Sequence, residues 1–107
     1  HRENGCLWVQ PGGHRSPLRE SFEVDWSTGK GQLIELDPTP WPELEDALAV
    51  EVPAGSVVLF HDHMPHFSSQ NLSAHSRHAF TMHVAEKHSR WSELNWLQRS
   101  SLADFAL

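Results

Sequence analysis

Histidines and one arginine in the middle of the chain are the residues best suited to chemistry. The apolar run 57–60 leads into imidazoles at His61, His63 and His66, and Arg77 follows eleven positions after His66. Neutral imidazole is a common metal ligand, and a guanidinium binds a carboxylate through two parallel hydrogen bonds. These residue types make the stretch a candidate for a metal ligand joined to an anion clamp.

The stretch that Arg77 begins, residues 77–84, alternates in polarity. Successive side chains of a strand point to opposite faces, so the apolar side chains share one face and the polar side chains share the other. We expect the apolar face to be buried and the polar face to line a cavity. The apolar face comprises Phe80, Met82 and Val84, with Val57 and Leu59 as expected partners, and the polar face comprises Arg77, Ala79, Thr81 and His83.

Short strands separated by Pro and Gly turns dominate the rest of the chain. No long amphipathic helix is indicated, which favours an all-β sandwich or barrel, with a jelly roll as the leading architecture. The expected elements are strands at 5–10, 20–26 and 32–36, an extended proline-rich connector at 37–42, one helical turn at 43–48, a hairpin joining 48–52 to 57–60, and a tail at 91–107 with a short helix.

Charge and composition exclude several classes of protein. Eight Lys and Arg against fourteen Asp and Glu leave a net charge of -6, which argues against binding to nucleic acid. No apolar run of about 18 residues is present, so no membrane span is expected. The single cysteine, Cys6, favours a reducing, intracellular and cytoplasmic location. Asn71-Leu72-Ser73 matches a glycosylation sequon, but we interpret the match as chance or as turn chemistry.

Five stretches in order resemble the phytanoyl-CoA dioxygenase family of iron(II) and 2-oxoglutarate dioxygenases, in particular its branch of domain-containing proteins. Each stretch alone is weakly specific, whereas their common order covers nearly the whole chain. The stretches are 3–9 with Pro11-Gly12-Gly13-His14, where Gly13 replaces the usual serine; Phe60-His61 with Pro65-His66; Gln70-Asn71-Leu72-Ser73; Arg77-x-Ala79-x-Thr81-x-His83; and Trp91-Ser92-Glu93 with Asn95-Trp96-Leu97.

The resemblance implies a double-stranded β-helix, the cupin-like jelly roll, that uses Fe(2+) and 2-oxoglutarate to hydroxylate an aliphatic carbon of a small-molecule substrate. Family members hold the iron with two histidines and one carboxylate, and His66 matches the second histidine. Arg77 matches the arginine that binds the far carboxylate of 2-oxoglutarate, a role that lysine cannot reproduce in bidentate form. Thr81 or Ser76 is expected to add a hydroxyl beside this clamp, and Thr81 is the one assigned to the site.

One feature of the family is missing from the chain, namely the His-x-Asp pair that supplies the other two metal ligands. His61 and Asp62 are adjacent, so in a strand they would point to opposite faces. We therefore interpret residues 1–107 as the carboxyl-terminal part of one domain, an incomplete roll lacking its amino-terminal strands, with one of three ligands. The alternative is a non-catalytic cupin-like module that binds a small molecule or another metal. The oligomeric state stays open.

Overall fold

The computed structural model describes residues 1–86 and 88–98, and within them the regular structure consists of short strands and single 3-10 turns without an α-helix. This confirms the all-β class, while the closed jelly roll stays a prediction. The tail predicted at 91–107 lies partly outside the described residues. The strands are β1 (Leu7–Val9), β2 (Glu20–Asp25), β3 (Lys30–Glu35), β4 (Leu48–Val50) and β5 (His66–Ser68), and the 3-10 turns are Arg2–Asn4, Gly13–Arg15 and Leu44–Asp46.

The chain divides into two compact units. The first unit comprises His1–Leu18 and Thr39–Phe80, and the second comprises Arg19–Pro38 and the described residues from Thr81 onward. No helix in the described part of the chain has the length and apolar character needed to cross a membrane.

The first unit is built on a three-stranded antiparallel sheet with β1 in the centre, between β4 and β5. Directly opposed residues of a ladder share one face. Trp8 is opposite Ala49 and Phe67, and its ring stacks on that of Phe67 with centroids 5.8 Å apart. We call this side the Trp8 face. The other side, the His66 face, carries Leu7, Val9, Leu48, Val50, His66 and Ser68.

The second unit contains the hairpin of β2 and β3, paired from Glu20 with Glu35 to Asp25 with Lys30. Val24 is the buried residue of this hairpin, at 8% exposure, and its backbone N–H donates to the Leu94 carbonyl at 2.8 Å. The ring of Phe22 lies directly over Gly31, in the space that a Cβ atom would occupy. The aromatic ring thus covers backbone that lacks a side chain of its own.

Asp25 closes the turn of this hairpin. Its carboxylate accepts hydrogen bonds from the Ser27 backbone N–H at 2.9 Å, the Ser27 hydroxyl at 2.6 Å and the Thr28 hydroxyl at 2.9 Å. These bonds, led by the one from the Ser27 hydroxyl, lower the pKa of Asp25 below its ordinary value because they favour the charged form. The turn is therefore specified by residues that are adjacent in sequence.

Most of the secondary-structure elements predicted from the sequence are present, but the second arm of the predicted hairpin is not. The strands predicted at 5–10, 20–26 and 32–36 are confirmed as β1, β2 and β3, and the connector at 37–42 has no regular structure. The helical turn predicted at 43–48 is a single 3-10 turn. Of the predicted hairpin 48–52 to 57–60, only the first arm forms a strand, β4.

The burial predicted for the alternating stretch is wrong. Phe80, Met82 and Val84 are 93%, 74% and 82% exposed, and Val57 and Leu59 are each 91% exposed. Among the described residues, neither 57–60 nor 77–84 is paired as a strand. An apolar side chain is buried only when another element covers it, and no covering strand is present in the described part of the chain.

Candidate metal and carboxylate site

His66 opens β5 and has one ring nitrogen committed to the backbone. Its Nδ1 lies 2.7 Å from the carbonyl oxygen of Met64. A carbonyl oxygen only accepts, so Nδ1 must carry the hydrogen and donate it. The neutral ring then keeps its lone pair on Nε2, as in histidines that bind a metal while their other nitrogen is held by a backbone carbonyl. The Phe60 ring packs against the imidazole, with centroids 4.9 Å apart.

Arg77 reaches the same strand. Its Nη2 donates to the hydroxyl oxygen of Ser68 at 3.5 Å, a long hydrogen bond. Ser68 is two positions after His66 and on the same face of β5, which puts the two Cα atoms about 7 Å apart. The structure therefore brings Arg77 to the His66 face, close to the predicted ligand. The roles predicted for both residues stay predictions.

Ser68 is the residue of this site that sequence reasoning missed. The signal was present, because in a strand His66-x-Ser68 directs both side chains to one face. A serine is common in strands and turns, however, and the contact with Arg77 depends on how the loop between them folds. Thr81, the third predicted site residue, is exposed and belongs to the second unit, and its part in the clamp stays a prediction.

The neighbouring histidines are engaged differently. Oδ1 of Asp62 accepts a hydrogen bond from the His63 backbone N–H at 3.0 Å and lies 2.9 Å from Nδ1 of His61, which donates to it when it carries the ring hydrogen. Within residues 1–86 and 88–98, no group of three or more His, Cys, Asp or Glu side chains is placed to hold a metal ion. A metal on His66 would therefore need its further protein ligands from outside these residues.

A pocket of about 210 Å³ lies beside β5 but is separate from the contact between Ser68 and Arg77. Gln10 follows the last residue of β1, and its backbone N–H donates to the Pro65 carbonyl at 3.0 Å. Alternation puts Gln10, Ala47 and Phe67 on the Trp8 face. The pocket is lined by these three residues with Trp41, Pro42, Glu43, Leu44, Pro65 and His66, and neither Ser68 nor Arg77 contributes to it.

Comparison with known proteins adds independent information. The family model described as phytanoyl-CoA dioxygenase matches residues 1–79. A phytanoyl-CoA dioxygenase of Arabidopsis thaliana is 36% identical over 102 residues, which cover 94% of this chain and 35% of that protein. Phytanoyl-CoA dioxygenase domain-containing protein 1 is 38% identical over 107 residues in Rattus norvegicus and 41% identical over 99 residues in Mus musculus.

The two rodent matches cover 96% and 90% of this chain but only 36% and 33% of the relatives. The chain thus spans about a third of the length of the curated relatives it matches. No solved structure matches it. Because the family model covers most of the chain, including β1, β4, β5 and the loop to Arg77, the chain belongs to the phytanoyl-CoA dioxygenase family.

Proposed function

We propose that this chain is the carboxyl-terminal part of one dioxygenase domain that depends on iron(II) and 2-oxoglutarate and hydroxylates an aliphatic carbon of a small molecule. The observation that carries the proposal is the arrangement of the His66 face. Nδ1 of His66 is hydrogen-bonded to the Met64 carbonyl, which leaves Nε2 to bind a metal, and Arg77 contacts Ser68 two positions later on the same strand. The proposed fold of the whole domain is a cupin-like jelly roll, of which the sheet of β4, β1 and β5 would be one part.

The residues of this chain have distinct roles in the proposed reaction. His66 would hold the metal through Nε2, and its bond to the Met64 carbonyl orients the ring. Bound iron would supply oxygen activation, with one oxygen atom entering the substrate C–H bond and the other entering succinate as carbon dioxide is released. Arg77 would bind the far carboxylate of 2-oxoglutarate as a planar, bidentate partner.

Hydroxyl groups complete the proposed clamp. Ser68 accepts a hydrogen bond from Arg77 and therefore keeps its own O–H available as a donor to a carboxylate oxygen. Thr81 would provide a second hydroxyl. The remaining two metal ligands would come from a His-x-Asp strand in the rest of the domain, which agrees with relatives about three times as long as this chain.

The proposed setting is intracellular and cytoplasmic, with a free small molecule as substrate and neither nucleic acid nor a membrane as partner. Support comes from the single cysteine and from the acidic net charge of -6. The family name does not assign the substrate. The proposed recognition of 2-oxoglutarate is the same whichever small molecule is hydroxylated.

The test compares the 107-residue chain with a protein that carries the whole domain, including the His-x-Asp strand. We expect calorimetry to show tight iron(II) binding and assays to show succinate release only for the longer protein, because one imidazole does not hold an octahedral ion against water. In that protein, His66→Ala should abolish both. Tight iron binding by the short chain would contradict the ligand assignment. A whole domain without a His-x-Asp and without succinate release would favour a non-catalytic binding module.

A further inference from the structure

The loop that joins β5 to Arg77, residues 69–76, is closed by the side chain of Asn71. Its Nδ2 donates to the His75 carbonyl at 2.8 Å. Its Oδ1 accepts from the Ser73 backbone N–H at 2.9 Å and from the Ser73 hydroxyl at 2.7 Å. One carboxamide thus uses its donor and its acceptor to bridge both sides of the turn, which also fixes which terminal atom is oxygen.

The closed loop is also attached to the start of the chain. The Leu72 backbone N–H donates to the Glu3 carbonyl at 2.8 Å, immediately after Asn71. The carbonyl oxygen of Ser69 lies only 2.5 Å from the position that a Cβ atom of Gly5 would take, and Gly5 has a φ of 74° in the left-handed region that favours glycine. The loop therefore has a fixed base on the segment that precedes β1.

The position of Arg77 depends on this closure. His75 is two residues before Arg77, and its carbonyl accepts from Asn71 Nδ2 at 2.8 Å with the Ser73 hydroxyl also 3.0 Å away, so Asn71 and its partner Ser73 together hold the backbone from which the arginine extends. At the other end of the loop, β5 fixes His66 and Ser68. The separation between the metal ligand and the guanidinium is therefore set by how tightly the loop folds between them.

We propose that Asn71 is a positioning residue that sets the distance from Arg77 to His66 and thereby the chain length of the keto diacid that the site accepts. The inference rests on the proposed function. It also accounts for the Asn71-Leu72-Ser73 sequence through turn closure, since Ser73 is a hydrogen-bond partner of the Asn71 oxygen. Loss of the bridge would let Arg77 shift relative to β5, and a ligand of another length would then fit comparatively better.

The experiment uses the protein that carries the whole domain, loaded with iron(II) without oxygen and titrated with 2-oxoglutarate and with 2-oxoadipate, which is one methylene longer. Asn71→Ala should weaken 2-oxoglutarate binding roughly fivefold, the scale of one lost hydrogen bond. The ratio of the two affinities should move toward 2-oxoadipate, and iron affinity should stay within about twofold. Gln70→Ala, the loss of an exposed carboxamide in the same loop, is the matched control and should leave the ratio unchanged.

Two further variants make every outcome decisive. Asn71→Asp keeps the acceptor for Ser73, loses the donor to His75 and adds a negative charge, which should weaken both diacids alike. The ratio of the two affinities should therefore still move in the same direction, also where Asn71→Ala does not fold. Arg77→Lys tests the clamp itself: unchanged 2-oxoglutarate affinity would overturn the proposed function and this inference with it. If Arg77→Lys weakens binding but the Asn71 variants leave the ratio of the two affinities unchanged, whether both affinities fall equally or neither falls, Asn71 does not set the accepted chain length and the inference is wrong.

Discussion

The hairpin of β2 and β3 and the His66 face of the first unit are organised in opposite ways. In the hairpin, strand pairing, turn closure and the packing of Phe22 on Gly31 involve residues that are close in sequence, and one edge of β2 also bonds to the distant Leu94. On the His66 face, β1 must pair with strands about 40 and 60 positions later, and Arg77 must return to β5 through a loop. Local interactions are enough to specify most of a hairpin. A binding site built from distant segments must close long loops, and the entropy lost in closing them must be offset by contacts elsewhere in the fold.

Arg77→Lys is expected to have the largest effect, a loss of 2-oxoglutarate affinity, and it changes only the His66 face. Lysine keeps the charge but cannot make a planar, bidentate pair, so 2-oxoglutarate binding by the whole domain should weaken by about 1.5–3 kcal/mol. Iron affinity and hairpin structure should be unchanged. Anaerobic titration with 2-oxoglutarate measures the loss, and equal affinities for the two proteins would remove Arg77 from the clamp.

Gly31→Ala should affect the local region alone. The new Cβ would overlap the end of the half-exposed Phe22 ring, which must swing off the strand, at a cost of about 0.2–1 kcal/mol in the free energy of unfolding, the scale of one cross-strand side-chain contact. Chemical denaturation measures this loss, with Gln32→Ala on the same strand as an exposed control. A simultaneous loss of 2-oxoglutarate affinity would show that the two regions are energetically linked, contrary to their separate organisation.

The smallest expected effect is a pH dependence of the hairpin turn. The folded-state pKa of Asp25 is lowered, so its stabilising bonds to Ser27 and Thr28 are fully present above the ordinary value of 3.8 and are lost as the pH falls through the lowered pKa. Asp25→Asn should remove this dependence, since an amide does not ionise. Chemical shifts of the Ser27 and Thr28 amides, followed from pH 6 to pH 2, measure it, and identical titrations in both proteins would contradict the assignment.

The contrast between the two regions also explains which predictions from the sequence succeeded. Strand propensity on the two sides of Gly29-Lys30-Gly31 predicted two short strands, which the structure forms as β2 and β3, because the partners of that hairpin lie close along the chain. The order of short motifs identified the family, because motif spacing is a property of the sequence itself. The same motifs named His66 and Arg77 as site residues, a prediction that awaits the binding experiments.

Only the tertiary structure decided which groups meet. The sequence alone did not indicate that Arg77 contacts Ser68, that Met64 holds Nδ1 of His66, or that Asn71 closes the loop between them. It also predicted burial for Phe80, which is 93% exposed. Alternating polarity determines which side chains of a strand share a face, but burial and contact depend on the element that packs against that face, and this partner is specified by distant residues.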